Sequence, residues 1–184
     1  MSIPGFLDLQ ERTEDHLELH DGEVVALPLF TFRHGALSTR LTQAIGEGLE
    51  GHACQVLGFG LCVGAPGAAW CVHPDATVLC GPPEFHGEDD TRSLVVNARV
   101  MFELSGGNSR PEADQRRTRM LRSIPTLEEH ATVYVDRPEV EVHRRQPDGS
   151  WGSRTWSGHK AVVEIRCLGV DLPLADFYDA PSDG

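Results

Sequence analysis

The chain has 184 residues, of which 40% are hydrophobic and 24% are charged, and this composition is typical of one globular domain with a buried core. Its formal net charge of −12 argues against broad electrostatic attraction to nucleic acid, which requires a basic surface, although residues 110–122 have a local balance of +3. No apolar run approaches the roughly 20 residues of a membrane helix, and the N-terminus lacks the pattern of a signal peptide. We therefore predict one domain over residues 1–184, located in the cytoplasm.

The cysteines and histidines give no sign of a structural cross-link or zinc site. Five cysteines lie mostly in strand-like runs, and no two of them form a CxxC pair. Isolated cysteines of this kind are typical of reduced, buried residues in a cytoplasmic protein. The nine histidines show none of the spacings of structural zinc sites. The cysteines predicted to be reduced are Cys54, Cys62, Cys71, Cys80 and Cys167.

The N-terminal third is predicted to contain helices and a hairpin. Residues 1–15 are compatible with one short helix. Two β-compatible runs in residues 17–27 meet at Asp21-Gly22, which is a strong hairpin turn signal. A helical stripe of apolar residues then predicts a helix from Thr31, its N-cap, to about Leu49.

The rest of the chain alternates strand-like runs with one further helix. Candidate strands cover residues 53–63, 76–80, 94–96 and 99–104, followed by a meander over 131–135, 139–145 and 150–156. A helix is predicted from about Pro111 to Ser123, with Arg117 on its apolar face. A last strand over 161–165 and a short helix within 168–178 end the chain. This order predicts an α+β or mixed α/β domain around one central sheet.

Two of the apolar runs contain a single carboxylate each. Asp75 lies in the run 71–80, and Glu103 lies in the run 100–104. A carboxylate beside a buried strand is unfavourable unless it is paired, hydrogen-bonded or bound to a metal. Two such residues on successive strands indicate a functional site.

Pro74-Asp75 before one strand and Glu103 at the end of the next resemble the PD-(D/E)XK restriction-endonuclease-like superfamily. The chain is similar to the Uma-two branch of that superfamily over about residues 17–178. The resemblance implies a restriction-endonuclease-like core in which helices flank a central mixed β-sheet, with an N-terminal hairpin and a C-terminal β-meander. The matching stretches are 19–25, 33–34, 73–75, 80–85, 100–103, 124–129, 136–149 and 168–175.

The same resemblance implies a site and a reaction. Asp75, Glu103 and Glu23 match metal-binding positions, and His34 matches a histidine that opens the first helix. Mg²⁺ or Mn²⁺ is the implied cofactor, since hard cations bind carboxylates and can activate water for attack on a phosphodiester. The implied substrate is DNA, and a homodimer is expected because duplex cleavage often uses two sites.

Two departures from the family pattern leave the activity open. The position of the family lysine, counted back from Ile124, is Arg117 here, and the residues that follow Glu103 (104–109) differ. An arginine can clamp phosphate through two hydrogen bonds, but it cannot act as a proton acceptor. We therefore consider two functions, a Mg²⁺-dependent endonuclease that uses Asp75, Glu103, Arg117 and His34, and an inactive module that binds a partner or forms a homodimer.

Each of these residues also has a purely structural interpretation. Asp75 is compatible with a turn residue after proline, and Glu103 with an ion pair to Arg117 or Arg99. Glu23 and His34 are compatible with a solvated strand residue and a histidine bonded only to backbone. Arg117 is compatible with a side chain that extends from an apolar stripe to solvent.

Overall fold

The computed structural model describes residues 1–106 and 111–178, apart from the side chains of 111–114. The helices in these ranges are α1 (Ile3–Glu11), α2 (Phe32–Gly48), α3 (Pro111–Arg122) and α4 (Leu174–Phe177). The strands are β1 (Leu17–His20), β2 (Glu23–Ala26), β3 (Cys54–Gly58), β4 (Cys62–Val63), β5 (Ala76–Cys80), β6 (Leu94–Val95), β7 (Val100–Ser105), β8 (Glu129–Tyr134), β9 (Glu139–Arg145), β10 (Trp151–Ser157), β11 (Val162–Ile165) and β12 (Val170–Pro173). None of the described helices combines the length and hydropathy that a membrane-spanning segment needs.

A six-stranded mixed sheet in the order β10-β9-β8-β7-β5-β3 forms the centre of the domain. Strands β7 and β8 are parallel, and the other neighbours in the sheet are antiparallel. Strands β8, β9 and β10 form the predicted C-terminal meander, and β1 pairs with β2 as the predicted N-terminal hairpin. The prediction of a mixed α/β fold around one central sheet is thus confirmed.

Alternating side chains of the sheet pack into two separate cores. Val100 and Phe102 of β7 pack in the core that contains the apolar face of α2. Met101, which points to the opposite face, packs in the core that contains Leu121 of α3. Because side chains alternate along a strand, Glu103 lies on the same face as Met101, toward α3.

Local signals account for the hairpin and for the start of α2. Asp21 and Gly22 have φ values of 51° and 85°, as the tight hairpin turn between β1 and β2 requires. The Thr31 hydroxyl accepts a hydrogen bond from the backbone N–H of His34 at 3.2 Å, so Thr31 is the predicted N-cap. The cap places His34 in the first turn of α2.

Residues 53–63 are predicted as one strand, but they form two separate strands, β3 and β4. Strand β3 is the edge of the large sheet, whereas β4 pairs in parallel with β6 outside it. Gly60 lies between the two strands with φ of 110°, a conformation that side-chain-bearing residues rarely adopt. The glycine therefore allows a change of direction where the apolar pattern suggests one strand.

The prediction that every cysteine is reduced is also wrong, since Cys54 and Cys80 form a disulfide. These residues face each other in the antiparallel register of β3 and β5. Directly opposed positions bring Cβ atoms close enough for a disulfide, although 26 residues separate the two cysteines in sequence. Cys62, Cys71 and Cys167 are free thiols.

Candidate active site

A cavity of about 760 Å³ opens at the face of the sheet that α3 covers. Three carboxylates, one guanidinium group and four imidazole rings reach it from the hairpin, from α2 and α3, from β7, β8 and β9, and from the segment before β5. These residues are Glu18, Asp75, Glu103, Arg117, His34, His73, His130 and His143. Asp75, Glu103, Arg117 and His34, which the sequence predicts as catalytic, thus line one cavity.

Strand pairing explains how Asp75 comes close to Glu103. Strands β5 and β7 are antiparallel, with Ala76 opposite Phe102, and one further step of this register places Asp75 opposite Glu103. Asp75 is held by two donors, because His34 Nε2 lies 2.6 Å from its Oδ1 and the backbone N–H of Leu104 donates to its Oδ2 at 2.7 Å. Both oxygens of Asp75 therefore have fixed positions at the cavity wall.

Arg117 bridges Glu103 and Glu18. Its Nε donates to Glu103 and its Nη1 donates to Glu18. Glu18 is fully buried and also accepts hydrogen bonds from the backbone N–H of His73 at 2.8 Å and from His20 Nε2 at 2.7 Å. The guanidinium group thereby ties α3 to both the hairpin and the central sheet.

The ion pairs set the charge of this cluster. Burial raises the pKa of Glu103, but the charge of Arg117 and the hydrogen bonds from His130 and Arg117 outweigh it, and the pKa falls to about 2. Burial likewise opposes ionisation of Glu18, whereas Arg117, His20 and the His73 backbone lower its pKa overall. Burial lowers the pKa of Arg117, but the charges of Glu103 and Glu18 outweigh this effect, so the pKa lies above its ordinary value. All three groups are therefore ionised at neutral pH.

Two histidines extend the cluster along the sheet. His130 of β8 faces His143 of β9 in register, and their rings stack with centroids 5.9 Å apart. His130 Nε2 lies 2.8 Å from Oε2 of Glu103. Because an ionised carboxylate can only accept, His130 donates this hydrogen bond through its Nε2 proton. Burial, together with the charges of His130 and Arg122, lowers the pKa of His143 despite the opposing effect of Glu141.

Comparison with known proteins identifies the family to which the chain belongs. Residues 3–175 match the family Uma2, described as "Putative restriction endonuclease". The chain belongs to this family. The family prediction made from the sequence is thereby confirmed.

Two further proteins are similar to this chain. An uncharacterised protein of Synechocystis sp. is 24% identical over 180 residues, which cover 97% of this chain and 91% of that protein. A crystal structure from Anabaena variabilis, described as a putative nuclease belonging to DUF820, superposes with a TM-score of 0.75 at 15% identity. The match covers 96% of this chain and 97% of the other. At that identity, the structural likeness supports the shared fold alone.

Glu23, which the Uma2 resemblance implies as a metal residue, does not line the cavity. Its side chain is 76% exposed on β2, and Arg116 Nη1 lies 3.3 Å from it. Glu18 reaches the cavity instead, from the neighbouring strand. The alternation in β1 puts Glu18 and His20 on one face, but only the packing of α3 reveals that this face is buried.

His130 is a second cavity residue that was not predicted from the sequence. It precedes the run 131–135 that reads as a strand, and its role depends on the neighbouring strands β7 and β9. The alternation of polar residues in β8, with His130, Thr132 and Tyr134 on one face and Ala131 and Val133 on the other, was the available signal. It indicates a polar sheet face but does not identify the partner Glu103.

The cavity carboxylates suit a divalent cation in donor chemistry. Glu18, Asp75 and Glu103 line the cavity, and Arg117 forms ion pairs with Glu18 and Glu103 but not with Asp75 among the described residues. Carboxylate oxygens are the ligands that Mg²⁺ prefers, and Mg²⁺ usually needs only one or two of them besides water and phosphate. Within residues 1–106 and 111–178, no three His, Cys, Asp or Glu side chains form a metal-binding group.

Proposed function

We propose that this Uma2 protein is a Mg²⁺- or Mn²⁺-dependent endonuclease-like phosphodiesterase that acts on DNA. The observation that supports it most is the meeting of Asp75, His34, Glu103 and Arg117 at one cavity. Membership of a family described as "Putative restriction endonuclease" supports the same reaction.

Asp75 and Glu103 would hold the cation, since they are adjacent in the extended register of β5 and β7. A bound Mg²⁺ would polarise the phosphodiester and lower the pKa of an attacking water. The hydrogen bonds from Leu104 and His34 fix the Asp75 oxygens, and those from His130 and Arg117 fix Glu103. Glu23 stays a predicted metal residue without support from its position, because it pairs with Arg116 outside the cavity.

His34 can supply the proton acceptor that Arg117 cannot provide. Its Nε2 lies 2.6 Å from Asp75 Oδ1, so the ring donates its Nε2 proton to the carboxylate. In its neutral form, the ring so oriented would leave Nδ1 without a proton, and Nδ1 would then accept a proton from water. In the proposed reaction, the water oxygen bonds to phosphorus, the leaving oxygen separates with its electron pair, and the water proton passes to Nδ1.

Arg117 would stabilise the charge of the phosphate in this reaction. Its Nε and Nη1 groups bind Glu103 and Glu18. Nη2, which makes no hydrogen bond to the part of the chain that the structure describes, would donate to a phosphate oxygen. The raised pKa of the guanidinium group keeps it charged, which is the property that a phosphate clamp needs.

A second function, an inactive module that binds a partner or forms a homodimer, is favoured by one contact. The bridge from Arg117 to Glu103 places a permanent cation beside a carboxylate that would otherwise bind metal.

A cytoplasmic location and a homodimer also stay predictions. Sedimentation equilibrium would test whether the protein is a homodimer.

Incubation of supercoiled and single-stranded DNA with Mg²⁺, Mn²⁺ or EDTA separates the two functions. The endonuclease predicts nicks or breaks that require the metal, whereas the inactive module predicts none with either ion.

A further inference from the structure

Aromatic rings form one wall of the cavity. The rings of Phe30 and His34 stack with centroids 4.4 Å apart and planes at 23°, and Phe59 meets Phe30 edge-on at 4.8 Å. His73 lies 6.0 Å from Phe59. Phe30, His34, Phe59 and His73, which all line the cavity, are called the aromatic wall below. It ends at His34, the residue bonded to Asp75.

The segment that carries Phe30 exposes unusually large apolar side chains. Leu29 is 94% exposed and Phe32 is 93% exposed, and Phe30 itself is 37% exposed. Leu29 and Phe30 lie between β2 and α2 and line the cavity, and Phe32 is the first residue of α2. Clustered apolar groups that a folded protein leaves in water commonly mark a ligand-binding surface. Because the cluster adjoins the aromatic wall, the favoured ligand has a flat apolar face.

The charge of the protein limits which nucleic acid fits. A net charge of −12 opposes the approach of a long duplex, whose binding depends on many phosphate contacts. An unpaired nucleotide brings one phosphate to the carboxylate end of the cavity and one base to the aromatic end. A base inside a duplex cannot stack on protein rings unless it leaves the helix.

We propose that the aromatic wall stacks an unpaired nucleobase, so that the substrate is single-stranded or locally unpaired DNA. This inference rests on the proposed function, because it places the neighbouring phosphate at Asp75 and Glu103. Phe30 and Phe59 supply the stacking surfaces, and the exposed Leu29 adds an apolar contact at the cavity wall. Stacking on aromatic rings is largely independent of base identity, so the site distinguishes unpaired from paired DNA rather than one sequence from another.

The test uses labelled oligonucleotides and fluorescence anisotropy, with Ca²⁺ in place of Mg²⁺. One probe is a single-stranded oligothymidylate, the second is an abasic strand of equal length and charge, and the third is the matching duplex. We expect the full-length protein to bind oligothymidylate about 5- to 100-fold more tightly than the abasic strand, and also more tightly than the duplex. Equal affinity for the first two probes, preference for the duplex, or no binding of any probe would overturn the inference.

Substitutions in the aromatic wall test whether oligothymidylate binds there. Phe30→Leu and Phe59→Leu should each remove most of the preference for oligothymidylate, since they keep an apolar side chain but lose the ring. Phe85→Leu is the matched control, because Phe85 is partly buried against another core and does not line the cavity. The comparison of the two strands uses wild-type protein alone, so it holds even if a variant fails to fold.

Binding and cleavage separate failure of this inference from failure of the proposed function. If the protein binds oligothymidylate through Phe30 but cleaves no DNA with any metal ion, the endonuclease is refuted and the stacking site is retained. Metal-dependent cleavage at equal rates on duplex and single strand, unaffected by Phe30→Leu, would retain the endonuclease and refute the stacking site.

Discussion

The Nε2 atom of His34 lies 2.6 Å from Oδ1 of Asp75, although 41 residues separate them in sequence. Thr31 caps the helix turn that carries His34, and Asp75 directly precedes strand β5. Both side chains therefore extend from the ends of regular elements, where backbone geometry fixes their positions. A carboxylate that orients a neutral imidazole is a common way to prepare a general base.

His34→Ala should lower the rate of DNA cleavage by roughly 100- to 10,000-fold, the usual contribution of a positioned general base. The substitution also removes one ring of the aromatic wall, so affinity for single-stranded DNA should fall as well, whereas the loss of rate should persist at saturating DNA. Single-turnover cleavage and anisotropy binding measure the two effects separately. His52→Ala, which changes an exposed histidine outside the cavity, is the control. Wild-type cleavage by His34→Ala would show that another group accepts the proton.

Arg117→Leu should lower the free energy of unfolding by about 3–5 kcal/mol, because it leaves buried Glu18 and Glu103 without their cation. Urea denaturation at neutral pH measures the loss. Arg119→Leu removes an exposed arginine from the same helix and should stay within about 0.5 kcal/mol of wild type. Equal effects of the two substitutions would mean that the bridge adds nothing to stability.

Arg117→Lys tests the departure from the family lysine. A lysine keeps the positive charge, binds phosphate as a point charge, and can exchange a proton as arginine cannot. If His34 is the proton acceptor, this substitution should not raise the single-turnover rate. A clear gain of cleavage would assign the proton transfer to position 117 instead.

Glu103→Gln should flatten the acid limb of the stability curve. The pKa of Glu103 is about 2 in the folded protein and about 4.5 ordinarily, so its ionisation stabilises the fold above pH 4.5. This contribution, roughly 3 kcal/mol, is lost as pH falls from 4.5 to 2. The variant should thus be less stable at pH 7 and lose less stability on acidification. Thermal or urea unfolding of both proteins across that pH range tests this. Parallel curves of stability against pH would contradict a stabilising ion pair at Glu103.

Cysteine alkylation tests the disulfide between β3 and β5. Under denaturing conditions without reductant, Cys62, Cys71 and Cys167 should react, and Cys54 and Cys80 should not. All five should react after reduction. Mass spectrometry counts the adducts, and five adducts before reduction would restore the prediction of reduced cysteines.

Features with local signals were predictable from the sequence. Asp21-Gly22 marks the hairpin, Thr31 the start of α2, and apolar runs the two strands that carry Asp75 and Glu103. Helical phase alone put Arg117 on the buried face of α3, where Met120 and Leu121 are indeed buried. The side chain of Ala113, predicted on the same face, and residues 107–109 of the altered loop lie outside the described residues.

Features that depend on distant packing were not predictable. Glu18 looks like a solvated hairpin residue until α3 covers its strand and Arg117 binds it. Cys54 and Cys80 meet only because the register of β3 and β5 sets them opposite each other. His130 acquires a role from Glu103, which lies on a neighbouring strand 27 residues away in sequence. In each case, the partner is chosen by sheet order rather than by local pattern.

The most direct test of the proposed function compares wild type, Asp75→Ala and Asp171→Ala in the nicking of supercoiled DNA with Mg²⁺. Asp171 is exposed on β12, outside the cavity, and serves as the matched control. We predict metal-dependent nicking by wild type and Asp171→Ala, and loss of it in Asp75→Ala with its melting temperature still showing a folded protein. Nicking that survives Asp75→Ala, or the failure of wild type to cleave either supercoiled or single-stranded DNA with both Mg²⁺ and Mn²⁺, would contradict a metal-dependent endonuclease at this site.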